Sequence, residues 1–568
     1  MARDNEPRVL VAPAGHGAGS GAVQLRPAPL AVHGESEYVR RCTGFPDGAR
    51  NMGIHIQAGR GSGKSILMGR LLALYDFLRG LPVVIFDPVG ATIDNFLDAL
   101  SRIDVADQEA FGLPRRLLYV DMAGGERVVP FPLYYRAGDE SYYEIARRLP
   151  SVIPMLDPAL SNAPILGQNA LESFAVDAGM VLSALGYQIT EASDLLVHPD
   201  RWEARLKQAA KVEPCVAGAA DFFLSDYMQR SPGARSRDVA SLLVKLKVFD
   251  RDPTSRAMFG VSTPGIDWAS VVRERQVVLL DFRRELDPAR RRFKMLWAFQ
   301  TLFDFIKRRG RTRSGAISVI VDEITELTGV EREDEVNESA RALNEMAQVY
   351  MRNCMVWLTL AHQEPWQVGA YTRRTLMSLG TQILGVTSDM DAALAMARQY
   401  FSFEPDWIRR YEPVWMFDQG GPYIVDYRPV EFTVEEQQYL TSEFFKKLRT
   451  FQFLVRPSAS EGDMSGRIRP VDIRPIVAGH WLNEAFVESV RAELAAVTGV
   501  STAKAVAEIE GRLERRILGR QGKKRLRAAE KRARYGSRKM PPREAEALDT
   551  MEDDIDYDEF IDPRPDGR

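Results

Sequence analysis

Eight consecutive residues, Ala58-Gly59-Arg60-Gly61-Ser62-Gly63-Lys64-Ser65, constrain this chain more than any other stretch. The segment before them, Gly53-Ile54-His55-Ile56-Gln57, is strand-like, and Ile66 to Tyr75 after them repeats apolar residues at helical spacing. Strand, glycine-rich turn and helix, in that order, are what a phosphate loop needs. Gly59, Gly61 and Gly63, with Arg60 and Ser62 between them, let backbone N–H groups turn inward around a polyphosphate, and the helix start adds its partial positive charge. Lys64 then reaches the β/γ-phosphates and Ser65 is placed to ligate Mg²⁺. Ala58 stands where the strict pattern has Gly, so this is the relaxed form of the motif. The competing reading is a glycine-rich turn at a helix start.

At 568 residues the chain exceeds one ordinary domain, and a hydrophobic fraction of 45% is ample for a core. A net charge of −3 gives the whole molecule no electrostatic attraction for nucleic acid, so any such role needs a local patch. Three cysteines, Cys42, Cys215 and Cys354, are widely spaced and odd in number, which reads as a reducing compartment without a zinc or disulfide framework. Neither a spanning apolar run nor a basic-then-apolar leader stands out, so the expectation is a soluble, cytoplasmic protein.

Taken in order, residues 1–48 are rich in Gly, Pro and Ala and read as an irregular arm. Core sequence begins at 49. The run Leu81-Pro82-Val83-Val84-Ile85-Phe86 ends in Asp87-Pro88, as a buried parallel strand does when it delivers an acid to a ligand-binding edge; a turn-forming Asp-Pro is the alternative. From 138 to 250 the pattern turns helical, with apolar residues at three- and four-residue steps through Tyr142–Leu149, Ala170–Leu185, Trp202–Ala210 and Val239–Val248. This is an all-α insertion, because strand signals resume after it at Val277–Phe282. The core then runs from 251 to 455.

Within it, Ala316 to Val321 is an apolar strand ending in Asp322-Glu323. One carboxylate at such a tip can hold the magnesium and its water shell while the second polarises an attacking water. A helix ending near Arg352 follows, then the buried run Met355–Ala361 closing on His362-Gln363, where a polar amide can sense a phosphate or orient water. Ile383–Val386, a helix over Asp391–Tyr400 and a last strand at Tyr423–Tyr427 complete the pattern. Residues 456–475 read as a linker. A helical region over 476–543 becomes strongly basic from Arg512, and 544–568 is an acidic tail without the apolar content to fold. A basic arm for phosphate backbones and mutual neutralisation with the acidic tail are the two readings of that pair.

These pieces resemble the FtsK–HerA superfamily of P-loop motors, and most of all the soluble motor part of type IV secretion coupling (TraG-like) ATPases. The matching residues are Gly59 to Ser65, Val83 to Pro88, Val319 to Glu323 and the strand closing on Gln363, with Leu379–Asp391 similar to the segment that follows. The resemblance spans about residues 50–430. It implies an α/β fold with a RecA-like core, a mainly parallel sheet and an inserted all-α domain, assembled as a ring of six. It further implies ATP with Mg²⁺ at subunit interfaces and hydrolysis coupled to movement of DNA. Carried over residue by residue, it puts Lys64 on the phosphates, Ser65 and Asp322 on Mg²⁺, Glu323 as catalytic base and Gln363 as sensor. Arg352 matches the arginine that reaches a neighbour's nucleotide; the alternative is a solvated arginine at a helix end.

Two departures stand out. Val89-Gly90-Ala91 replaces the Lys-Gly-Glu that often follows Asp-Pro in the family, and the membrane segments of coupling proteins are not seen. A soluble motor serving a mobile element, a defence system or a DNA-processing complex fits as well as conjugation, with a nuclease, relaxase or secretion component as the targeting partner. A secretion ATPase acting on protein and a nucleotide-gated assembly switch with little turnover are the rival readings.

Overall fold

Alternation of short apolar runs with helices builds one large sheet in the computed structural model, which describes residues 50–103, 112–113, 115–151, 165–312, 315–328, 338–401, 406–456, 458, 469–473 and 482–517. The expected arm over 1–48, the basic stretch beyond 517 and the acidic tail lie outside the described residues, as does most of the expected linker.

The described chain falls into two compact units. The first draws on Met1–Phe131, Ser151–Ser161 and Gly265–Gly499. Its strands are β1 (Ile54–Gln57), β2 (Val83–Asp87), β3 (Leu117–Asp121), β4 (Val277–Asp281), β5 (Ile317–Val321), β6 (Val356–His362), β7 (Thr381–Leu384), β8 (Ile408–Asp418), β9 (Gly421–Glu431), β10 (Gln452–Arg456) and β11 (Arg469–Asp472). Nine of them form a sheet in the order β11-β10-β7-β1-β6-β5-β2-β4-β3. From β7 to β3 every pairing is parallel, while β10 is antiparallel to both of its neighbours. Continuous apolar runs suit this arrangement, since a parallel strand is covered on both faces; β1, β2, β4, β5, β6 and β7 are buried along their whole length.

Two segments read otherwise in sequence join this unit. Residues 469–472, inside the expected linker, are the outer strand β11. The helix Glu484–Val497, inside the expected basic region, buries Val487 and Leu494 in the same core as the phosphate-loop helix. The Asn483 amide donates to Asp98 at 3.1 Å and fixes where that helix begins. Conversely, the expected last strand at Tyr423–Tyr427 is the middle of β9, which pairs only with β8 in a separate two-stranded ribbon. Its aromatic, β-branched composition specifies a strand without specifying which sheet it joins.

The second unit draws on Pro132–Pro150, Asn162–Pro264 and Val500–Arg568. It is helical, with long helices Ile165–Ala184, Pro232–Asp250 and Thr502–Ile517. Its core is aromatic: Tyr187 meets Trp202, and Phe249 meets Phe259 edge-on at 5.1 Å. Arg512, where the basic stretch begins, is buried here. It is ion-paired with Glu191 and donates to the Gly260 carbonyl at 2.7 Å and to Ser262 at 2.8 Å. That guanidinium therefore serves packing, not a phosphate backbone.

Candidate nucleotide site at the C-terminal edge of the sheet

Parallel strands all end on one edge, and there the sequence places its polar residues. β1 runs into the loop 58–65, β2 ends in Asp87, β5 is followed by Asp322 and Glu323, and β6 is followed by Gln363. Gly61 and Gly63 have φ of 75° and 94°, the left-handed region that glycine enters without steric cost. Gly63 is constrained a second time, because a Cβ there would lie 2.3 Å from the Phe451 ring. Phe451 is itself held at φ 70°, with its amide donating to the Ser62 carbonyl at 2.8 Å. The Gly59 amide donates to the Val386 carbonyl at 2.8 Å, tying the loop to the chain after β7.

The helix leaving the loop starts at Lys64–Ile66, continues through a π-helical stretch Leu67–Ala73 and ends as Leu74–Leu78. It lies so close to the helix Ala91–Ser101 that a Cβ on Gly69 would sit 2.4 Å from the Thr92 carbonyl. This contact brings Thr92 into the site.

Three polar groups converge on Asp322. Lys64 Nζ is 3.0 Å from Oδ1, and both the Ser65 hydroxyl (3.2 Å) and the Thr92 hydroxyl (2.8 Å) donate to Oδ2. Lys64 Nζ also lies 3.6 Å from Glu323 Oε2. Burial alone would lower the Lys64 pKa, but the charges of Asp322 and Glu323 outweigh it and leave the ammonium raised. Glu323 has φ 67°, an uncommon conformation for a side chain of this size, and it is pinned there. Gln363 Nε2 donates to its Oε2 at 2.9 Å and the Thr325 hydroxyl to its Oε1 at 2.7 Å. Arg60 Nε in turn donates to Gln363 Oε1 at 3.2 Å. Backbone strain of this kind collects at functional sites, where neighbours over-determine it.

Asp87 satisfies both readings of its sequence context. Its carboxylate accepts from the amides of Val89, Gly90 and Ile93, which makes the turn and starts the next helix. It is also fully buried at the same edge. Burial first, and the Asp322 charge second, push its pKa up to about 7 despite those donors. Beneath the loop, His55 and His362 stack with Nε2 atoms 2.9 Å apart, and Gln382 Oε1 lies 2.6 Å from His55 Nδ1. Burial lowers both, His55 to about 4, so the pair is not cationic near neutrality.

Lys64, Ser65, Asp322, Glu323, Gln363 and Arg60 thus lie in one connected set. Arg352 does not. It is exposed in the short helix Met351–Asn353 that precedes β6, at the opposite edge of the sheet. Seven strand residues separate the two edges, roughly 20 Å. Sequence reasoning missed Thr92 and Phe451, and no local pattern marks either one.

The donor set fits a magnesium nucleotide. Hydroxyl and carboxylate oxygens are the hard ligands that Mg²⁺ takes, and the two left-handed glycines leave room for backbone to wrap a phosphate. No protein-family model matches the sequence, and no curated protein matches it. Among solved structures, the chain is similar to the bacterial conjugative coupling protein TrwBdeltaN70 in an unbound form, at 15% identity over 76% of this chain and 86% of that one, TM-score 0.45. It is similar to VirB4 of Thermoanaerobacter pseudethanolicus at 13% identity over 74% and 88%, TM-score 0.44. A third likeness is the genome packaging NTPase B204 of Sulfolobus turreted icosahedral virus 2, at 13% identity over 36% and 71%, TM-score 0.21. The fold is α/β and RecA-like. Strand order decides it, because β6 with its amide tip lies between the phosphate-loop strand β1 and the Asp-Glu strand β5.

Among the described residues, no helix is long and apolar enough to cross a membrane.

Proposed function

We propose that this chain is a Mg²⁺-dependent ATP-hydrolysing motor of the FtsK–HerA type, working as a ring on DNA. The observation that supports it most is the convergence of Lys64, Ser65, Asp322, Glu323 and Gln363 at one sheet edge, the set that in-line attack of water on a γ-phosphate requires. Lys64 holds the phosphates in place of its present carboxylate partners. Ser65 and Asp322 hold the metal, and Thr92 orients Asp322. When bound, Mg²⁺ neutralises charge on the phosphate oxygens. Glu323 Oε2 takes the proton of the attacking water, and Gln363, bonded to that oxygen, reports whether the carboxylate is engaged. Arg352 lies too far from its own loop to act there, so its role is to complete the site of a neighbouring copy. DNA as the track rests on the order of motifs shared with the superfamily.

ATP turnover by the purified chain, with and without double-stranded DNA over a range of protein concentrations, tests this reading. The rate should rise with DNA and more steeply than linearly with protein, and Arg352→Ala should lose about tenfold or more without losing nucleotide binding. Turnover indifferent to DNA would leave the ATPase standing and transfer the motor to a protein substrate.

A smaller effect is expected at Thr92. Thr92→Val keeps the shape but removes one donor from a buried carboxylate, a loss of about 1–3 kcal/mol. The Mg²⁺ concentration for half-maximal turnover should rise several-fold, and the melting temperature should fall by a few degrees. An unaltered Mg²⁺ titration would remove Thr92 from the site.

A further inference from the structure

The ribbon β8–β9 is the least covered part of the first unit. Ten of the eleven residues of β8 and nine of the eleven of β9 are exposed. A two-stranded ribbon is at best marginally stable in water, since it has no second layer to pack on. This one is anchored at its base. Trp407 and Phe432 meet edge-on, the Phe432 amide donates to the Trp407 carbonyl, and Arg409 pairs with Glu436 of the helix Val434–Lys447.

Register sorts its side chains into two unlike faces. Tyr411 stands opposite Pro429, Pro413 opposite Tyr427, Trp415 opposite Ile424 and Phe417 opposite Pro422, and a bulge after Ile424 keeps Tyr427 in line. Cross-strand partners share a face, so these eight apolar residues form one surface. The other face is mixed: Arg410 and Arg428 pair with Glu412 there, beside Val414, Met416 and Tyr423. Tyr411, Trp415, Phe417 and Tyr427 are 58%, 51%, 78% and 56% exposed. At about 150–250 Å² per aromatic, these four alone present roughly 350–600 Å². That is the size of the largest apolar patch of an ordinary monomer, which is often functional, and a large part of the ~800 Å² that one partner contributes to a stable interface. At the base of the ribbon, Arg409 and Phe432 line a cleft of about 520 Å³ together with the uncovered Tyr439 and Leu440 of the neighbouring helix.

We infer that the β8–β9 ribbon is an assembly arm whose aromatic face packs on a second copy of this chain. Its charge argues against nucleic acid, because three arginines (409, 410, 428) meet four carboxylates (412, 418, 426, 431), whereas base-stacking aromatics work within a basic groove. Its prolines argue against strand addition, because Pro413, Pro422 and Pro429 remove donors along both edges and leave the face as the means of contact. Covering such a surface from the moment the chain folds removes an aggregation hazard. A copy of the same chain is the one partner always present in proportion, and interfaces between permanent partners are the apolar ones. The arm and whatever it packs on are different surfaces, so the contact is heterologous and repeats from copy to copy. The inference does not depend on nucleotide hydrolysis.

The test uses the full chain and the Trp415→Ser/Phe417→Ser double variant, which alters exposed residues only. Sedimentation over 0.1–50 μM (roughly the span in which apolar interfaces of this size associate) should show self-association of the natural chain and at least tenfold weaker association of the variant. Fluorescent ATP-analogue binding, and the melting temperature at the lowest concentration where both are dissociated, should be the same for both. A photo-reactive benzophenone residue at position 417 should cross-link between light- and heavy-isotope copies mixed before irradiation. A natural chain monomeric throughout, unaltered association of the variant, or cross-links confined within one copy, including to residues 1–49, would each overturn the inference.

Discussion

Glu323→Gln should lower ATP turnover by about 10²–10⁴ while Mg-ATP still binds, the range general-base removal produces. The substitution is close to isosteric, and Gln363, Thr325 and Lys64 continue to hold the side chain at its positive φ. What changes is the proton-accepting oxygen. Single-turnover hydrolysis alongside equilibrium binding of a fluorescent ATP analogue separates the two effects. If turnover survives, Glu323 is not the base and the strained backbone has another purpose. Lys64→Ala should fail in the other way, by losing the nucleotide. It also removes the cation that sits between Asp322 and Glu323, and two carboxylates left facing each other repel. That variant should therefore be less stable in the absence of nucleotide than Glu323→Gln, a difference that differential scanning calorimetry reads.

The second large effect is structural. Arg50 and Asp76 form a fully buried ion pair, with Arg50 Nη1 donating to Thr359 at 3.0 Å and the Ser318 hydroxyl donating to Asp76 at 2.6 Å. The Arg50 guanidinium also lies 5.4 Å from the centre of the Trp357 ring. This cluster ties the phosphate-loop helix to β5 and β6, the strands that carry Glu323 and Gln363. Asp76→Ala strands a guanidinium that stays charged, and breaking a buried pair in this way costs about 3–5 kcal/mol. Against a typical total of about 5–15 kcal/mol that is a large share. Arg50→Met should cost less, because burial raises the Asp76 pKa and the carboxyl left behind can take up a proton. Urea unfolding followed by far-ultraviolet circular dichroism checks the order; an Asp76→Ala shift no larger than that of Arg50→Met would mean the pair is not the tie.

How much was legible beforehand follows the range of the interactions concerned. The loop 58–65, the acid-tipped strand at Asp322-Glu323 and the amide after β6 are local patterns. A left-handed turn needs its glycines in place, and a strand buried on both faces must be apolar to its last residue. Their order along the chain was enough to put Lys64, Ser65, Asp322, Glu323 and Gln363 at one edge. The ends of elements shifted by a residue or two, as with Asp391–Tyr400 read for Met390–Tyr400.

What no local pattern specified was the far side of each contact. Thr92 enters the site because Gly69 lets two helices approach, and Phe451 closes under Gly63 from nearly four hundred residues on; neither leaves a period in the sequence. The same holds for β11 and the helix Glu484–Val497, which join the core across a stretch of Pro, Ser and Gly, and for Arg512, a basic residue by sequence and an ion-paired core residue in fact. The ribbon is the clearest division. The sequence marked only 423–427 as a strand, and a strand is indifferent to which sheet it completes. Only the tertiary structure decided that these two would pair with each other alone, since the antiparallel strands β10 and β11 already occupy the edge beyond β7.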